Sequence, residues 1–264
     1  MTAPGEGELQ RARDLLASAD QVCVLSGAGV SAESGVPTFR GAEGLWKSYS
    51  PQDLATPQAF RRDPRLVWEW YDWRRGKIGA CKPNPGHFAL ARFALGPRKV
   101  RIVTQNVDGL HEAAARETAR EMAGVTDPSP ALPLELHGSI FRVRCTGCTY
   151  SLPHREPVAT ASEDDLPRCP VCSNLLRPAV VWFGESLDSE IITEAFRVAQ
   201  ASSVCLVVGT SALVHPAASV PLATRDAGGR LVEVNPEDTP LTEISQVALR
   251  GGSGQVLPSL LDGL

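Results

Sequence analysis

Short runs of apolar residues recur along the chain, and polar or glycine-containing turns bound each run. The runs cover Gln21 to Leu25, Val100 to Thr104, Val204 to Gly209 and Leu231 to Val234. Continuous apolar runs of this length are typical of parallel strands buried on both faces. Segments with helical spacing lie between several of them, over Glu8 to Ala19, Pro85 to Leu95 and Asp188 to Ala201. This alternation predicts an α/β fold built on a doubly wound parallel sheet.

Two stretches interrupt the alternation. Residues 41–84 carry four of the five tryptophans, and Asp63 before Pro64 marks the start of a helix that runs to Gly76. Residues 138–178 hold four cysteines among short, proline-rich connections. We predict that 41–84 and 138–178 form a smaller domain with a helical part and a zinc-ribbon part. The remaining segments, 1–40, 85–137 and 179–264, then form one discontinuous Rossmann-like domain.

Composition narrows the class of protein. With 43% hydrophobic and 21% charged residues, the 264-residue chain resembles an ordinary globular protein. A net charge of −4 gives no general reason to bind nucleic acid or an anionic membrane. No apolar stretch reaches the roughly 18 residues of a membrane span, and the first residues lack a signal-peptide pattern. We therefore expect a cytoplasmic protein, and a monomer.

Four of the seven cysteines form two tight pairs. Cys145 and Cys148 are separated by two residues, as are Cys169 and Cys172, and twenty residues lie between the pairs. This spacing is typical of four thiolates that bind one tetrahedral Zn²⁺ with no open position, so the site should be structural. Four unrelated thiols are the weaker interpretation.

A glycine-rich turn follows the first apolar run. Residues 27–32 fit the pattern G-x-G-x-x-A, in which glycines let backbone N–H groups approach a pyrophosphate. A plain strand-to-helix turn explains the local pattern about as well. The acidic residue that a dehydrogenase carries about twenty positions later is not evident, so an ordinary dehydrogenase fits poorly.

Polar residues follow the second run. Gln105, Asn106 and Asp108 should face a ligand crevice at the carboxyl ends of the strands, although Asp108 could equally cap the next helix. His137 precedes the cysteine pairs and could act as a general base near neutral pH. A structural histidine is commoner, and composition leaves four competitors: His87, His111, His154 and His215.

These motifs, in this order, resemble the sirtuin family over nearly the whole chain. The segments that carry the resemblance are 27–31, 35–41, 104–111, 137–139, the cysteine pairs, 181–185 and 209–211. The resemblance implies an NAD-dependent protein-lysine deacylase for which NAD⁺ is a co-substrate and one Zn²⁺ is structural. Nicotinamide, O-acyl-ADP-ribose and free lysine would be the products.

The resemblance also implies roles for individual residues. His137 would be the catalytic base that accepts a ribose proton, and Asn106 would hold ribose and water. Asp108 would bind the nicotinamide carboxamide. Further cofactor-binding positions are Gly27, Ala28, Gly29, Ser31, Phe39, Arg40, Trp46, Gln105, Gly209, Thr210, Ser211, Asn235 and Ser253. Substrate peptide would lie as an added strand between Val181, Phe183, Gly184 and Glu185 on one edge and Val214 on the other.

Tyr71 and Arg74 are three residues apart on the predicted helix, so both side chains can reach one face. They resemble the Tyr-x-x-Arg pair of class III sirtuins, and Ala55 matches a small residue that leaves room for a longer acyl chain. A guanidinium binds a carboxylate in a fork, and a phenol adds a hydrogen bond. The resemblance thus predicts a desuccinylase or demalonylase that also accepts acetyl-lysine. An arginine on a solvated helix face beside a core tyrosine is the alternative.

Other functions fit part of the pattern. A general deacetylase or an ADP-ribosyltransferase would use the same nucleotide site without an acidic acyl preference. A catalytically silent module that binds NAD or acyl-lysine would not need His137. The connection formed by residues 112–136 is longer than is usual in the family. It could overhang the site or contact a partner, but a passive surface segment is the commoner case.

Overall fold

A computed structural model describes residues 5–37 and 49–264. The described helices are α1 (Glu6–Ala17), α2 (Gly29–Ala32), α3 (Pro51–Leu54), α4 (Pro57–Arg62), α5 (Pro64–Gly79), α6 (Pro85–Leu95), α7 (Leu110–Glu121), α8 (Ser189–Ala201), α9 (Val220–Asp226) and α10 (Ser253–Leu261). The described strands are β1 (Gln21–Ser26), β2 (Lys99–Thr104), β3 (Leu134–Glu135), β4 (Gly138–Cys145), β5 (Ser151–Pro153), β6 (Leu176–Val180), β7 (Val204–Val208), β8 (Arg230–Val234) and β9 (Val247–Leu249).

Six strands form one parallel sheet in the order β3-β2-β1-β7-β8-β9. The chain winds outward from β1 through β2 to β3 and then returns to β7 on the other side of β1. The strand order therefore reverses between β1 and β7, which is where open α/β sheets bind ligands. The predicted doubly wound α/β fold is confirmed.

The sheet is buried on both faces because successive side chains of each strand enter different cores. In β1, Val22 and Val24 pack with α1, α6 and α10, whereas Cys23 and Leu25 pack with α8. All four side chains are fully buried. Burial on both sides explains why the strands are continuous apolar runs without polar alternation.

A second, three-stranded antiparallel sheet has the order β5-β4-β6. It shares a third core with α3, α4 and α5, where Trp68, Trp70 and Trp182 are almost completely buried. The carboxylate of Asp63 accepts the N–H of Leu66 at 2.9 Å and caps α5 at the predicted position. The boundaries predicted for the two domains stay a prediction.

The sequence pattern did not reveal β3 and β9, because strands of two and three residues are too short to produce an apolar run. The segment between α7 and β3 contains a 3₁₀ turn, Ser129–Ala131, whose Ala131 is buried in the same core as α6 and α7. Arg101 of β2 donates to the carbonyl of Leu132 at 2.9 Å. The longer connection thus packs against the sheet and its helices. Among the described helices, none combines the length and apolarity that crossing a membrane requires.

Gly138 determines how the chain leaves the main sheet after His137. Its φ is +74°, and a Cβ at this position would lie 2.1 Å from the carbonyl oxygen of Ala179. Only glycine accepts both the left-handed backbone and the close neighbour. The glycine therefore lets β4 pair directly with β6 while the preceding imidazole stays at the edge of the main sheet.

Candidate functional site

The polar residues predicted to bind a nucleotide follow four adjacent strands. Residues 27–31 follow β1, 105–108 follow β2, 209–211 follow β7, and Asn235 follows β8. The strands end in register, since Ser26 is paired with both Thr104 and Val208, and Val208 with Val234. These loops consequently share the carboxyl edge of the sheet.

The glycine-rich turn lies in backbone contact with the loop after β7. Gly29 donates its N–H to the carbonyl of Gly209 at 2.8 Å, and a Cβ on Gly29 would meet the Cα of Gly209 at 2.8 Å. Gly209 itself has a φ of +57°. Side chains at either glycine would push the two loops apart, so this part of the edge offers backbone groups to a ligand.

A buried serine hydroxyl organises the middle of the site. Ser31 Oγ donates to Asp108 Oδ2 at 2.7 Å and lies 3.1 Å from the amide nitrogen of Asn106, which donates to it. Asp108 Oδ1 accepts the N–H of Leu110 at 2.9 Å. One oxygen of Asp108 thus binds the first N–H of α7, and the other belongs to the polar cluster around Ser31.

His87 makes the third hydrogen bond to the hydroxyl of Ser31. The backbone N–H of Asn84 donates to His87 Nδ1 at 3.3 Å, so the ring proton is on Nε2, which lies 3.3 Å from Ser31 Oγ. Burial, together with the neighbouring charge of His111, lowers the pKa of His87 to about 2. His87 is thus a neutral hydrogen-bond donor and has no free ring nitrogen to act as a base.

His111 supports the backbone of the same loop through two hydroxyl groups. Ser26 Oγ donates to Thr104 Oγ1 at 2.8 Å and lies 2.9 Å from His111 Nε2, which must therefore donate. Thr104 Oγ1 also accepts the N–H of Asn106 at 3.1 Å. Burial lowers the pKa of His111 to about 4, while the charge of Asp108 opposes that change.

His137 is the least buried of the three histidines at this edge, and one of its ring nitrogens is available. Its Nδ1 lies 2.9 Å from the carbonyl oxygen of Gln105, which can only accept, so the proton is on Nδ1. Within the described residues no hydrogen bond involves Nε2. Burial lowers the pKa of His137, and the bond to Gln105 opposes the shift only partly. A half-buried, neutral imidazole of this tautomer can accept a proton at neutral pH.

The remaining histidines are engaged elsewhere. His154 Nδ1 accepts from Arg75 at 2.9 Å, and the exposed His215 is bonded to Ser219 at 3.0 Å.

Other predicted nucleotide-binding residues reach the same edge. Gln105 Nε2 donates to Thr210 Oγ1 at 2.9 Å, and Asn235 donates to the carbonyl of Glu237 at 3.1 Å. Ser253, the first residue of α10, donates to the carbonyl of Val30 at 3.2 Å. Ala28 and Ser211 lie in the loops after β1 and β7. Phe39, Arg40 and Trp46 lie outside the described residues.

Tyr71 and Arg74 are brought together around one ring. The Tyr71 ring is 4.6 Å from that of Trp70, and the Arg74 guanidinium lies 5.0 Å from the Trp70 centroid. Arg74 is only 9% exposed, which rules out a solvated helix face. Burial lowers its pKa, whereas Tyr71 and Asp108 favour the charged form. Arg74 is therefore close enough to Asp108 for their charges to interact.

The segment after β6 connects this region to the surface. Phe183 donates its N–H to the carbonyl of Ala55 at 2.9 Å, and Gly184 takes a φ of +86°. Phe183 and Val214 are 43% and 42% exposed, unusual values for large apolar side chains. Val181 donates its N–H to the carbonyl of His137 at 2.9 Å.

The Glu185 carboxylate binds inside the protein. It accepts from Arg177 at 2.5 Å, from Arg144 at 3.1 Å and from the N–H of Trp182 at 2.8 Å. The backbone N–H of Glu185 donates to the carbonyl of Trp182 at 2.9 Å, so a substrate contact from Glu185 would come from its backbone carbonyl. The sequence analysis gave no role to Trp182, which lies within the segment 181–185, and none to Ser26 or Thr104. The signal for the two hydroxyls was a serine or threonine directly after the apolar residues that end each strand.

The four predicted zinc ligands lie together. Their sulfur atoms are all within 4.8 Å of one another, with Cys145 and Cys172 at 3.3 Å and Cys148 and Cys169 at 3.6 Å. These distances are far longer than a disulfide and near the roughly 3.8 Å separation of thiolates around a tetrahedral Zn²⁺. The N–H of Gly147 donates to Cys145 Sγ at 3.2 Å, which supports a thiolate. The donor set fits a structural zinc ion.

The comparisons with known proteins are consistent over the length of the chain. The model of the Sir2 family matches residues 27–216. A protein of Pyrococcus furiosus named NAD-dependent protein deacylase is 46% identical over 94% of this chain and 94% of its own length. A protein of the same name from Thermococcus kodakarensis is 48% identical over 96% and 94%.

Solved Sir2 structures are also similar to this chain. A crystal structure of a Sir2 homolog–NAD complex superposes with a TM-score of 0.83 at 43% identity, covering 96% of this chain and 92% of that one. A structure of Sir2 bound to acetylated peptide gives a TM-score of 0.79 at 27% identity, covering 96% and 97%.

Replacing one zinc ligand should release the metal. We expect about one zinc per chain in the wild-type protein and almost none in Cys148→Ser, because three thiolates leave the tetrahedral site incomplete. The variant should also unfold at a lower temperature. Elemental analysis and thermal denaturation measure both, and Cys81→Ser, outside the cluster, serves as the control. A stoichiometric zinc content in Cys148→Ser would refute the four-cysteine site.

The buried histidines should make the protein less stable in mild acid. The unfolded chain takes up protons near the usual histidine pKa of 6.5, whereas folded His87 resists protonation down to about 2. The unfolded state thus binds more protons below pH 6.5, so stability falls as the pH falls. Between pH 7 and pH 5, His87 alone should account for about 2 kcal/mol of lost unfolding free energy.

Urea titrations of the wild type and His87→Gln at pH 7 and pH 5 measure this contribution. The variant should lose about 2 kcal/mol less than the wild type over that interval. His215→Gln, which changes an exposed histidine, should behave as the wild type does. An equal pH dependence in all three proteins would contradict the prediction.

Proposed function

This chain belongs to the Sir2 family, and we propose that it removes acyl groups from protein lysine side chains in an NAD-dependent reaction. The names of the relatives support the activity. The observation that carries the proposal is the imidazole of His137, fixed by Gln105 with its other nitrogen available. It stands at the carboxyl edge of a sheet whose adjoining loops offer the groups that a dinucleotide needs.

The nucleotide would bind across the point where the strand order reverses. Its pyrophosphate would meet the backbone at Gly27 and Gly29, where no side chain intervenes. Asn235, at the end of β8, and Ser253, beside α2, would lie toward the adenosine half. Asp108 would bind the nicotinamide carboxamide, since the bond from Ser31 holds its carboxylate in place.

When bound, NAD⁺ supplies a ribose carbon that the acyl oxygen of the substrate can attack as nicotinamide leaves. His137 would take the proton from a ribose hydroxyl on Nε2, because Nδ1 is bound to Gln105. Asn106 donates to Ser31, which leaves its side-chain oxygen to accept from ribose or water. The base and the positioning groups thus come from adjacent loops on rigid strands.

The substrate peptide would lie between the segment around Phe183 and the loop at Val214. Both apolar side chains are exposed. The N–H groups of Phe183 and Glu185 are bonded within the protein, so an extended chain would pair with the N–H of Gly184 and with the carbonyl groups of 183–185. We propose acylated-lysine proteins and peptides as partners, with the modified side chain passing inward toward Ala55.

The finer proposal is a preference for acidic acyl groups, succinyl or malonyl, over acetyl. A carboxylate at the end of the acyl chain would form a charge-assisted hydrogen bond with the buried guanidinium of Arg74, which acetyl-lysine cannot form. Tyr71 would add a hydrogen bond, and burial raises its pKa to about 12, so it remains a donor. A general deacetylase or an ADP-ribosyltransferase remains the competing function.

A panel of acetyl-, malonyl- and succinyl-lysine peptides with NAD⁺ tests the activity. We expect nicotinamide release that requires an acylated peptide, together with an acyl-ADP-ribose product detected by mass spectrometry. His137→Ala should be slower by about 10²–10⁴-fold, the usual contribution of a general base, while still binding NAD⁺. Formation of NADH would indicate a dehydrogenase, and binding without any turnover would indicate a silent module.

Arg74→Met tests the acyl preference. Loss of a buried charge-assisted bond should lower kcat/KM for succinyl- and malonyl-lysine by roughly 50-fold, while acetyl-lysine changes little. Arg75→Met is the matched control, because Arg75 is also buried but binds His154. An equal loss on acidic and neutral acyl groups in Arg74→Met would remove Arg74 from substrate recognition.

A further inference from the structure

Trp182 donates a hydrogen bond to the residue that is proposed to recognise the acyl group. Its indole Nε1 lies 2.8 Å from the hydroxyl oxygen of Tyr71, and each residue is only 2% exposed. An indole N–H can only donate, so the Tyr71 oxygen must accept. The direction of this bond is therefore determined by chemistry.

The bond restricts where the Tyr71 hydroxyl proton can point. One lone pair of the oxygen is occupied by Trp182, so the O–H must turn away from the indole. Within the described residues no acceptor takes this proton. The Arg74 guanidinium lies nearby, since its charge acts on Tyr71 and both side chains contact the Trp70 ring. A carboxylate that pairs with Arg74 would be the acceptor that Tyr71 lacks.

Trp182 is itself held from several sides. The Arg177 guanidinium lies 3.2 Å from its ring centroid, and Glu185 binds both Arg177 and the backbone N–H of Trp182. The ring of Phe60 packs at 5.3 Å. These contacts hold the indole in place independently of its bond to the tyrosine.

We propose that Trp182 is a positioning residue for acyl-group selection, acting through the hydroxyl of Tyr71. It orients the phenol so that its proton is presented beside Arg74 before substrate arrives. This inference rests on the proposed preference for acidic acyl groups. Acetyl-lysine has no acceptor at that place, so the Trp182–Tyr71 bond should matter only for substrates with a terminal carboxylate.

Trp182→Phe tests the proposal because it keeps an aromatic ring but removes the donor. We expect kcat/KM for succinyl-lysine peptide to fall about tenfold, mainly through KM, and that for acetyl-lysine to change less than about twofold. In a Tyr71→Phe background the same substitution should have no further effect on succinyl-lysine, since the acceptor is already gone.

Trp68→Phe is the matched control. Trp68 is fully buried in the same core and donates its indole N–H to the carbonyl of Leu176 at 3.0 Å. It should lose stability as Trp182→Phe does, yet keep the succinyl-to-acetyl ratio of the wild type. Thermal denaturation of both variants separates stability from selection.

Two kinetic outcomes would overturn the proposal: an equal fall on both peptides, or a loss that persists in the Tyr71→Phe background. If no peptide releases nicotinamide, the proposed function fails. The positioning role of Trp182 can then still be tested by calorimetric binding of succinyl-lysine peptide. Equal affinities for the wild type and Trp182→Phe would then reject the positioning role. A wild-type protein that binds and processes acetyl- and succinyl-lysine equally well would reject it too, while leaving the deacylase activity intact.

Discussion

The hydroxyl group of Ser31 is the point on which the proposed site depends. It donates to Asp108 and accepts from Asn106 and His87, so it joins α2, α6 and the loop after β2. These bonds use all the capacity of a hydroxyl, and none of the partners is exposed to water. A fully satisfied buried network holds its members rigidly, whereas removing one member leaves the others unpaired. The polar groups that would meet the nucleotide are consequently set before it binds.

A second network holds the residues that are proposed to bind the acyl chain. The ion pair of Glu185 and Arg177 holds Trp182, and Trp182 donates to Tyr71. The two networks meet where the charge of Asp108 acts on Arg74. The groups proposed to bind the acyl chain therefore lie within electrostatic reach of the residue proposed to bind nicotinamide. Buried groups make this contact effective, because water does not screen them.

Sequence patterns predicted the features that arise from local spacing. Apolar runs located β1, β2, β7 and β8, because burial on both faces leaves no polar alternation. The proline after Asp63 located the start of α5. The sequence patterns did not predict the very short strands. β3, for example, is a strand because it pairs with β2, and its own composition gives no strand signal. The predicted site residues stay predictions, although most of those described share one edge of the sheet.

The sequence by itself determined the zinc ligands, the class of fold and the membership of the family, because each depends on residues at fixed separations along the chain. Only the tertiary structure decided which histidine is partly exposed and also keeps a ring nitrogen available. His87, His111 and His137 look alike in sequence, and their tautomers follow from the donors and acceptors that folding places beside them. The partnership of Trp182 with Tyr71 joins residues 111 positions apart, and no local pattern encodes a contact of that kind.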